Sequence, residues 1–522
     1  MSVLPAPTLT KSPSEQVHLN RITNKSSNQR ASLAADDEYT VQSGGLINDT
    51  NEIATQLVLK NIKINKSRPR FKEGVPRSSF APGKKECVDS ILDRYTKTDD
   101  SPFMGVFVVF WVGVFSIVFN YVVHYYLDKG FKSELGELFF RDIFKIALND
   151  LIMYLSIYFT FFVQILVKRG WIKWETTGWI VTSVYEVGYL VFFVDFIERQ
   201  DYPWIGKIFL FLHSLVLLMK MHSYGFYNGY LWSIHNELKF SRGFQKKIEL
   251  SQTEQTSDLA KTIEDSIAFC QFELDTQSTQ TPFPSNISLA NFFSYTMFPT
   301  LVYQIEYPRT DKIRWSYVAE KVMAIFGVIF LMFIVAQNSL YPLACEMIQL
   351  KDTPFSVSIR RFPILLMDFI PNFLLIFFLD FYLIWDAILN CLAELTMFGD
   401  REFYGPWWNC ITWEDFSRLW NIPVHKFLLR HVYHSSISAF HLNKTQATLF
   451  TFLFSSVIHE LTMYVLFGKF RGYIFFFQMF QLPLIYIAKL SFFKERKLLG
   501  NIQFWLGIML GPALVASLYL TF

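Results

Sequence analysis

"TFLFSSVIHELTMYVLF", residues 451–467, is apolar along most of its length yet carries a histidine and a glutamate side by side. Counted from Ala447, the run has the length that crosses the hydrocarbon core of a bilayer. His459 then lies roughly 18 Å from the start of the run, at about 1.5 Å per residue. An ionisable group at that depth is costly and is a functional candidate by default. Ser455 stands one turn earlier on the same helical face and Ser456 next to it, which offers the imidazole a polar strip. A histidine hydrogen-bonded inside a helix bundle is the competing structural reading. A zinc-protease helix is excluded, because HExxH needs a second histidine where this chain has Met463. No metal site is expected.

The rest of the chain has the same character. Its 522 residues are 52% hydrophobic and 18% aromatic, with a mean hydropathy of +0.25, which marks an integral membrane protein. A net charge of +3 without a basic-aromatic platform excludes a nucleic-acid partner. The five cysteines, Cys87, Cys270, Cys345, Cys391 and Cys410, are scattered with no CxxC pair, so free thiols are expected.

Hydropathy predicts an all-α protein of about nine transmembrane helices, near 103–127, 149–167, 177–197, 203–222, 317–342, 363–397, 447–467, 472–490 and 502–521. The sixth segment is too long for a simple crossing. With Pro371, Asp380 and Asp386 inside it, it reads as a long tilted or broken helix whose polar face looks inward. Functional and structural readings of the two aspartates stand level. Residues 1–100 are rich in Ser, Thr, Asn and Lys and are expected to be a disordered, basic cytosolic tail. It has no apolar signal-peptide core, and its later part (Lys60 to Lys85) is strongly basic. That orientation puts the loops 223–316 and 398–446 in the cytosol. Five glycosylation sequons, at Asn24, Asn48, Asn65, Asn286 and Asn443, would all face the cytosol and stay unmodified. The first loop includes a polar linker near 248–282. The second is dense in Trp, Phe, Leu and His, and "TWED", Thr412 to Asp415, reads as a capping box opening a short amphipathic helix that ends before Pro423 and lies at the membrane surface.

An aromatic segment of that second loop, "EFYGPWWNCITW" (402–413), ends two tryptophans with Asn409. A mid-membrane histidine and an amide that folds into the same cavity are what acyl transfer inside a bilayer requires. The histidine takes the proton of an acceptor hydroxyl, worth about 10²–10⁴-fold, and the amide holds the reacting carbonyl. His plus Asn is by itself a weak pattern, and no Ser or Cys nucleophile is indicated.

"FYGPWWNC" resembles the FYxDWWN signature of the membrane-bound O-acyltransferase superfamily, in the branch of sterol and one class of diacylglycerol acyltransferases. "MKMHSYGFYNGYLW", "FPTLVYQIEYPRTDKIRW", "WNIPVHKFLLRHVYHSS", "SSVIHELTMYVLF" and "LGNIQFWLGIMLGP" extend the similarity, toward the fungal sterol acyltransferases, over nearly everything from residue 100 onward. The resemblance implies a nine-span fold around an intramembrane chamber (a catalytic domain over 101–522), a cytosolic tunnel for acyl-CoA and a membrane-side opening for the sterol. It implies His459 as catalytic base with Asn409 as its partner, Tyr404, Trp407, Trp408 and His425 along the acyl-CoA path, and Ser455 near the thioester. It also implies an endoplasmic reticulum membrane enzyme that makes steryl esters of ergosterol, forms a homodimer or homotetramer, and uses no cofactor beyond its co-substrate, long-chain acyl-CoA. Diacylglycerol acylation is the alternative activity; a transporter or an inactive lipid-binding relative is less favoured. On charge grounds Arg418, Lys426 and Arg430 are the basic side chains of the loop on which CoA would dock, or a solvated basic face. Pro406 departs from the signature, which has Asp. Both residues suit the first turn of a helix, so Pro406 is tolerable if that Asp only starts the turn.

Overall fold

The computed structural model describes residues 70–72, 74–78, 86–96, 104–128, 141–251, 257–488 and 496–522. The expected disordered tail lies, for residues 1–69, outside the described residues, as do the sequons at Asn24, Asn48 and Asn65. The chain divides into two compact units, 1–79 and 80–522. In the first, strands Phe71–Lys72 and Val75–Pro76 pair antiparallel about Gly74, whose φ of 79° suits the tight turn.

The second unit is helical: α1 (Ile91–Thr96), α2 (Met104–Asp128), α3 (Ile143–Ser156), α4 (Tyr158–Lys168), α5 (Trp179–Arg199), α6 (Trp204–Ser251), α7 (Ser257–Gln277), α8 (Leu289–Met297), α9 (Trp315–Val335), α10 (Tyr341–Gln349), α11 (Phe355–Phe381), α12 (Leu389–Leu395), α13 (Trp413–Leu419), α14 (Ile422–Phe427), α15 (His434–Ala439), α16 (Lys444–Phe467), α17 (Tyr473–Met479), α18 (Gln481–Ala488) and α19 (Lys497–Thr521). Among the described residues, seven helical runs are long and apolar enough to cross a membrane, and two shorter apolar stretches, Val108–His124 and Tyr473–Ile487, fall where the first and eighth crossings were expected.

Two expectations change and a third is narrowed. The fourth crossing does not stop near residue 222: α6 runs 48 residues, about 72 Å, so it spans the membrane and continues well beyond it. The stretch 248–282 is not mainly linker. Within it α7 places Ile263, Ser266, Phe269 and Cys270 at helical spacing, buries them, and packs along the outer part of α6, where the Ser266 hydroxyl donates to Glu237 at 2.8 Å. The long sixth segment is continuous from Phe355 to Leu395 through Pro363 and Pro371; its irregularity is a π-helical stretch, Tyr382–Ile388.

α6 is the central mast. Met221, Tyr224, Tyr227 and Leu231 of α6 are buried against Ile157, Val167, Trp174, Tyr189 and Phe193 of the preceding helices. Gly229 lets Trp174 lie against the α6 backbone, since a Cβ there would fall 1.9 Å from the indole Cε2. The sequon at Asn286 is fully buried and its amide donates to Asn228 Oδ1 at 2.8 Å and to the Tyr303 hydroxyl at 3.1 Å, so it is a packing residue rather than an acceptor for glycan. Asn443 closes a capping box with Gln446 at the start of α16.

Candidate active site

α16 presents His459 fifteen residues after its first residue, Lys444 (459 − 444). Nδ1 lies 2.8 Å from the Ser455 carbonyl. A carbonyl can only accept, so Nδ1 carries the proton and Nε2 keeps its lone pair. Among the described residues this is the only polar contact of the ring. His459 is accessible although it sits deep among protein atoms, the signature of a side chain that faces an internal space. The serines divide. Ser456 is buried and donates to the Phe452 carbonyl at 2.8 Å, so it does not join a polar strip, whereas Ser455 Oγ faces the Gln478 amide at 3.5 Å.

Glu460, next in sequence, points the other way. Its buried carboxylate accepts from the backbone N–H groups of Arg471, Gly472 and Phe475 and from the Tyr519 hydroxyl at 2.8 Å, tying α16 to the start of α17 and to α19. That anchoring fixes the rotation of α16 with His459 toward the open side.

The "FYGPWWN" stretch is held by packing. Tyr404 and Trp407 are buried, and the Trp407 ring meets Phe381 at 5.1 Å, Trp420 at 4.9 Å and Trp408 at 6.0 Å. Phe377, Phe378 and Phe381 of α11 supply one wall of this cluster, and Trp505 of α19 another. Asn501, also of α19, donates to the carbonyls of Trp408 (3.3 Å) and Cys410 (2.9 Å), a clamp that sequence reading did not identify. Gly507 allows the approach: a Cβ there would lie 2.4 Å from Trp413. Residues 407–409 form one 3₁₀ turn, with Pro406 exposed at its start and the Pro406 carbonyl accepting the Asn409 N–H at 3.1 Å. Asn409 is exposed, and no hydrogen bond among the described residues engages its side-chain amide. Among the described residues no hydrogen bond joins it to His459.

The loop carries a second amide. The Asn421 Oδ1 accepts the Val424 N–H at 3.1 Å and caps α14, which leaves its Nδ2–H₂ oriented and unengaged among the described residues. Thr412 caps α13 as its sequence suggested, accepting from the Asp415 N–H at 3.1 Å, and α13 ends at Leu419, before Pro423. His425 follows on α14. Burial, with the charges of Arg418 and Lys426 nearby, holds its imidazole below the usual range, so it is neutral at pH 7.

The three basic residues have protein partners. Arg418 pairs with Glu414, Lys426 with Asp400 at 3.2 Å, and the half-buried Arg430 donates to the Tyr303 carbonyl at 3.0 Å and covers the Tyr227 ring at 4.4 Å. Beneath the loop lies a buried charge network. Lys321 of α9 meets Asp386 at 2.5 Å and Asp93 at 3.8 Å, and Asp386 also accepts from the Tyr404 hydroxyl. Residues 86–96, which composition assigned to the tail, belong to this unit: the Val88 N–H donates to the Gly399 carbonyl at 2.8 Å, the Val88 carbonyl accepts from Arg401 at 2.9 Å, and Ile91 packs in the aromatic cluster. Among the described residues no cluster of metal-ligating side chains occurs.

A helical membrane protein with an ionisable histidine inside one crossing and an aromatic, amide-bearing loop outside it has the parts for chemistry at the interface of water and lipid. Residues 143–521 match the model of the membrane-bound O-acyltransferase family, and the chain belongs to that family. It is 52% identical over 444 residues to sterol O-acyltransferase 2 of Saccharomyces cerevisiae, covering 83% of this chain and 69% of the relative. It is 45% identical over 469 residues to sterol O-acyltransferase 2 of Candida albicans (82% and 76%), and 46% identical over 430 residues to sterol O-acyltransferase 1 of S. cerevisiae (81% and 70%).

Proposed function

We propose that the protein transfers a fatty acyl group from acyl-CoA to the 3-hydroxyl of a sterol, ergosterol by preference, making steryl esters in the endoplasmic reticulum membrane. The observation that carries this reading is the 45–52% identity to fungal sterol O-acyltransferases over about four fifths of the chain. Similarity to diacylglycerol O-acyltransferase 1 of Dictyostelium discoideum is weaker, 33% over 48% of this chain, and favours the sterol over the diacylglycerol reading.

In this proposal His459 Nε2 accepts the hydroxyl proton as the oxygen attacks the thioester carbonyl, and the proton passes to the departing CoA sulfur. The fixed Nδ1 contact keeps Nε2 in the accepting tautomer. An amide of the 398–446 loop, Asn409 or the capped Asn421, holds the carbonyl oxygen, and a donor already fixed in place costs least to use. Tyr404, Trp407 and Trp408 exclude water, which would otherwise hydrolyse the thioester. His425, neutral, lines the acyl-CoA path; Arg418, Lys426 and Arg430 sit where the CoA phosphates dock, exchanging a local acceptor for phosphate. Ser455 borders the thioester. Nine crossings, with Val108–His124 and Tyr473–Ile487 as the two short ones, a cytosolic N-terminus and a homodimer or homotetramer complete the reading.

The test is expression in a host lacking neutral-lipid synthesis, with labelled oleoyl-CoA and separation of the lipid products. Steryl oleate as the main product is expected. Triacylglycerol in excess of steryl ester would replace the acceptor assignment.

A further inference from the structure

Among the described residues, several acidic side chains inside the crossings are matched, while Glu198, at the end of its helix, Asp368 and Asp380 are not. Asp150 meets His213, Glu186 meets His222, Asp386 meets Lys321, Glu394 meets Arg401, and Glu460 meets Tyr519. Asp380 of α11 has no hydrogen bond or ion pair among the described residues. It is nonetheless accessible while lying deep among protein atoms, the combination His459 shows. Asp368, also without a side-chain partner, is different in kind. It precedes Leu395 by 27 residues (395 − 368), further along its helix than the whole 24-residue length of α16, which puts it at the opposite surface.

The depth of Asp380 can be read from the chain. It stands fifteen residues before Leu395 (395 − 380), where its helical run ends, and His459 stands fifteen residues after Lys444, where α16 begins. The segment 396–443 joins those two ends and contains no helix long and apolar enough to cross, so both ends lie at one membrane face. Fifteen residues is about 22 Å of helix, a little less for Asp380 because Tyr382–Ile388 is π-helical. The two accessible, enclosed ionisable groups therefore sit at nearly one depth. α11 packs against α19, and α16 against α6 and α17, so they reach that level from different sides. Asp380 is also next to Phe381, whose ring contacts Tyr404 and Trp407. An unpaired carboxyl at this depth is costly, so a hydrogen-bonding group arriving in front of it is favoured.

We propose that Asp380 is an acceptor-binding residue: its carboxylate receives the hydroxyl hydrogen bond of the lipid alcohol entering from the membrane and delivers that hydroxyl at the level of His459. A carboxylate suits this task because a hydroxyl-to-carboxylate bond is stronger than one between neutral groups, while apolar lipid and anionic fatty acid gain nothing from it. The proposal rests on the acyl-transfer reading above.

The experiment measures initial rates of purified wild type, Asp380→Asn and Asp380→Ala, varying sterol at saturating oleoyl-CoA and the reverse, alongside melting temperature and oligomer mass. Asp380→Ala is expected to raise KM for sterol at least tenfold with KM for oleoyl-CoA unchanged, and Asp380→Asn, which keeps an accepting oxygen, to fall between. Binding of radiolabelled sterol to His459→Ala protein should weaken in parallel when Asp380→Ala is added. Unchanged sterol KM, an equal rise in both KM values, loss of folded protein with both variants, or a change in oligomer mass would each overturn the assignment. If wild type esterifies diacylglycerol instead of sterol, the acceptor reading fails while a raised diacylglycerol KM in Asp380→Ala still supports Asp380.

Discussion

The Tyr404 hydroxyl donates to Asp386 Oδ1 at 3.1 Å, and the other oxygen of Asp386 is held by Lys321 Nζ at 2.5 Å. The first aromatic of the loop is thereby tied to a buried ion pair between two membrane helices. These partners favour the structural reading of Asp386, one of the two aspartates that the sequence left open.

Removing one member of a buried pair leaves the other unmatched, at a cost of about 3–5 kcal/mol. Lys321→Met and Asp386→Leu are each expected to lower the melting temperature and activity together, and the double variant to recover much of the stability. A double variant no more stable than either single one would show that the pair does not act as a unit.

His459→Ala should reduce ester formation by at least about 100-fold with expression and melting temperature unchanged. Activity within a few-fold of wild type would remove the general-base role. Asn409→Ala and Asn421→Ala separate the two amides: each is expected to lower kcat, and Asn421→Ala also to lose about 1 kcal/mol of stability with its cap. A wild-type rate for Asn409→Ala beside a depressed one for Asn421→Ala would assign the carbonyl contact to Asn421.

Cys410 adjoins Asn409, but burial, with Asp415 nearby, pushes its thiol up to about 11. Cys410→Ala is expected to keep at least half the wild-type rate, and N-ethylmaleimide to leave activity unaffected at pH 7.5. A folded Cys410→Ala with a 100-fold loss would instead indicate an acyl-cysteine intermediate.

For His425 the folded environment disfavours the charged form, so protonation begins only below its ordinary value of 6.5. KM for oleoyl-CoA should therefore be flat between pH 6.5 and 8, and His425→Gln should stay within about threefold. A wild-type KM that drops tenfold on acidification to pH 6, with no drop in His425→Gln, would reveal an imidazolium contact with the CoA phosphates.

What the sequence disclosed follows the reach of its signals. Apolar runs located the seven helical runs that are long and apolar enough to cross, because span length is a local property, and Thr412 announced α13 three residues ahead of the N–H it caps. The continuation of α6 was missed because residues past 222 are buried against the preceding helices, α8 and α7 and not against lipid, so their pattern is amphipathic and weaker in hydropathy. Lys321 and Asp386 lie 65 residues apart, and Asn501 lies 91 residues from the Cys410 carbonyl it holds; no local pattern records such pairs. Residues 86–96 read as tail because their polar groups have partners only in the folded protein. His459 was conspicuous as a lone ionisable group in a span, while the orientation of its Nδ1 became visible only with the helix around it.

Pro406 is the residue in which this chain departs from the signature it resembles. It is exposed, with φ −74° and ψ 60°, immediately before the 3₁₀ turn that carries Trp407, Trp408 and Asn409. Proline presets that φ, and its carbonyl already closes the turn on Asn409. The preceding Gly405 N–H donates to the Leu419 carbonyl at 2.7 Å and fixes the approach of the chain. An aspartate at this exposed position would start the same turn, so Pro406→Asp is expected to change the rate at saturating oleoyl-CoA by less than about tenfold and to leave both KM values alone. The alternative is that the family's carboxylate orients a reacting group, in which case this protein works with that group missing. A gain above about 100-fold, or roughly 2.7 kcal/mol of barrier, on introducing the aspartate would establish that role and make the turn-forming account of Pro406 untenable.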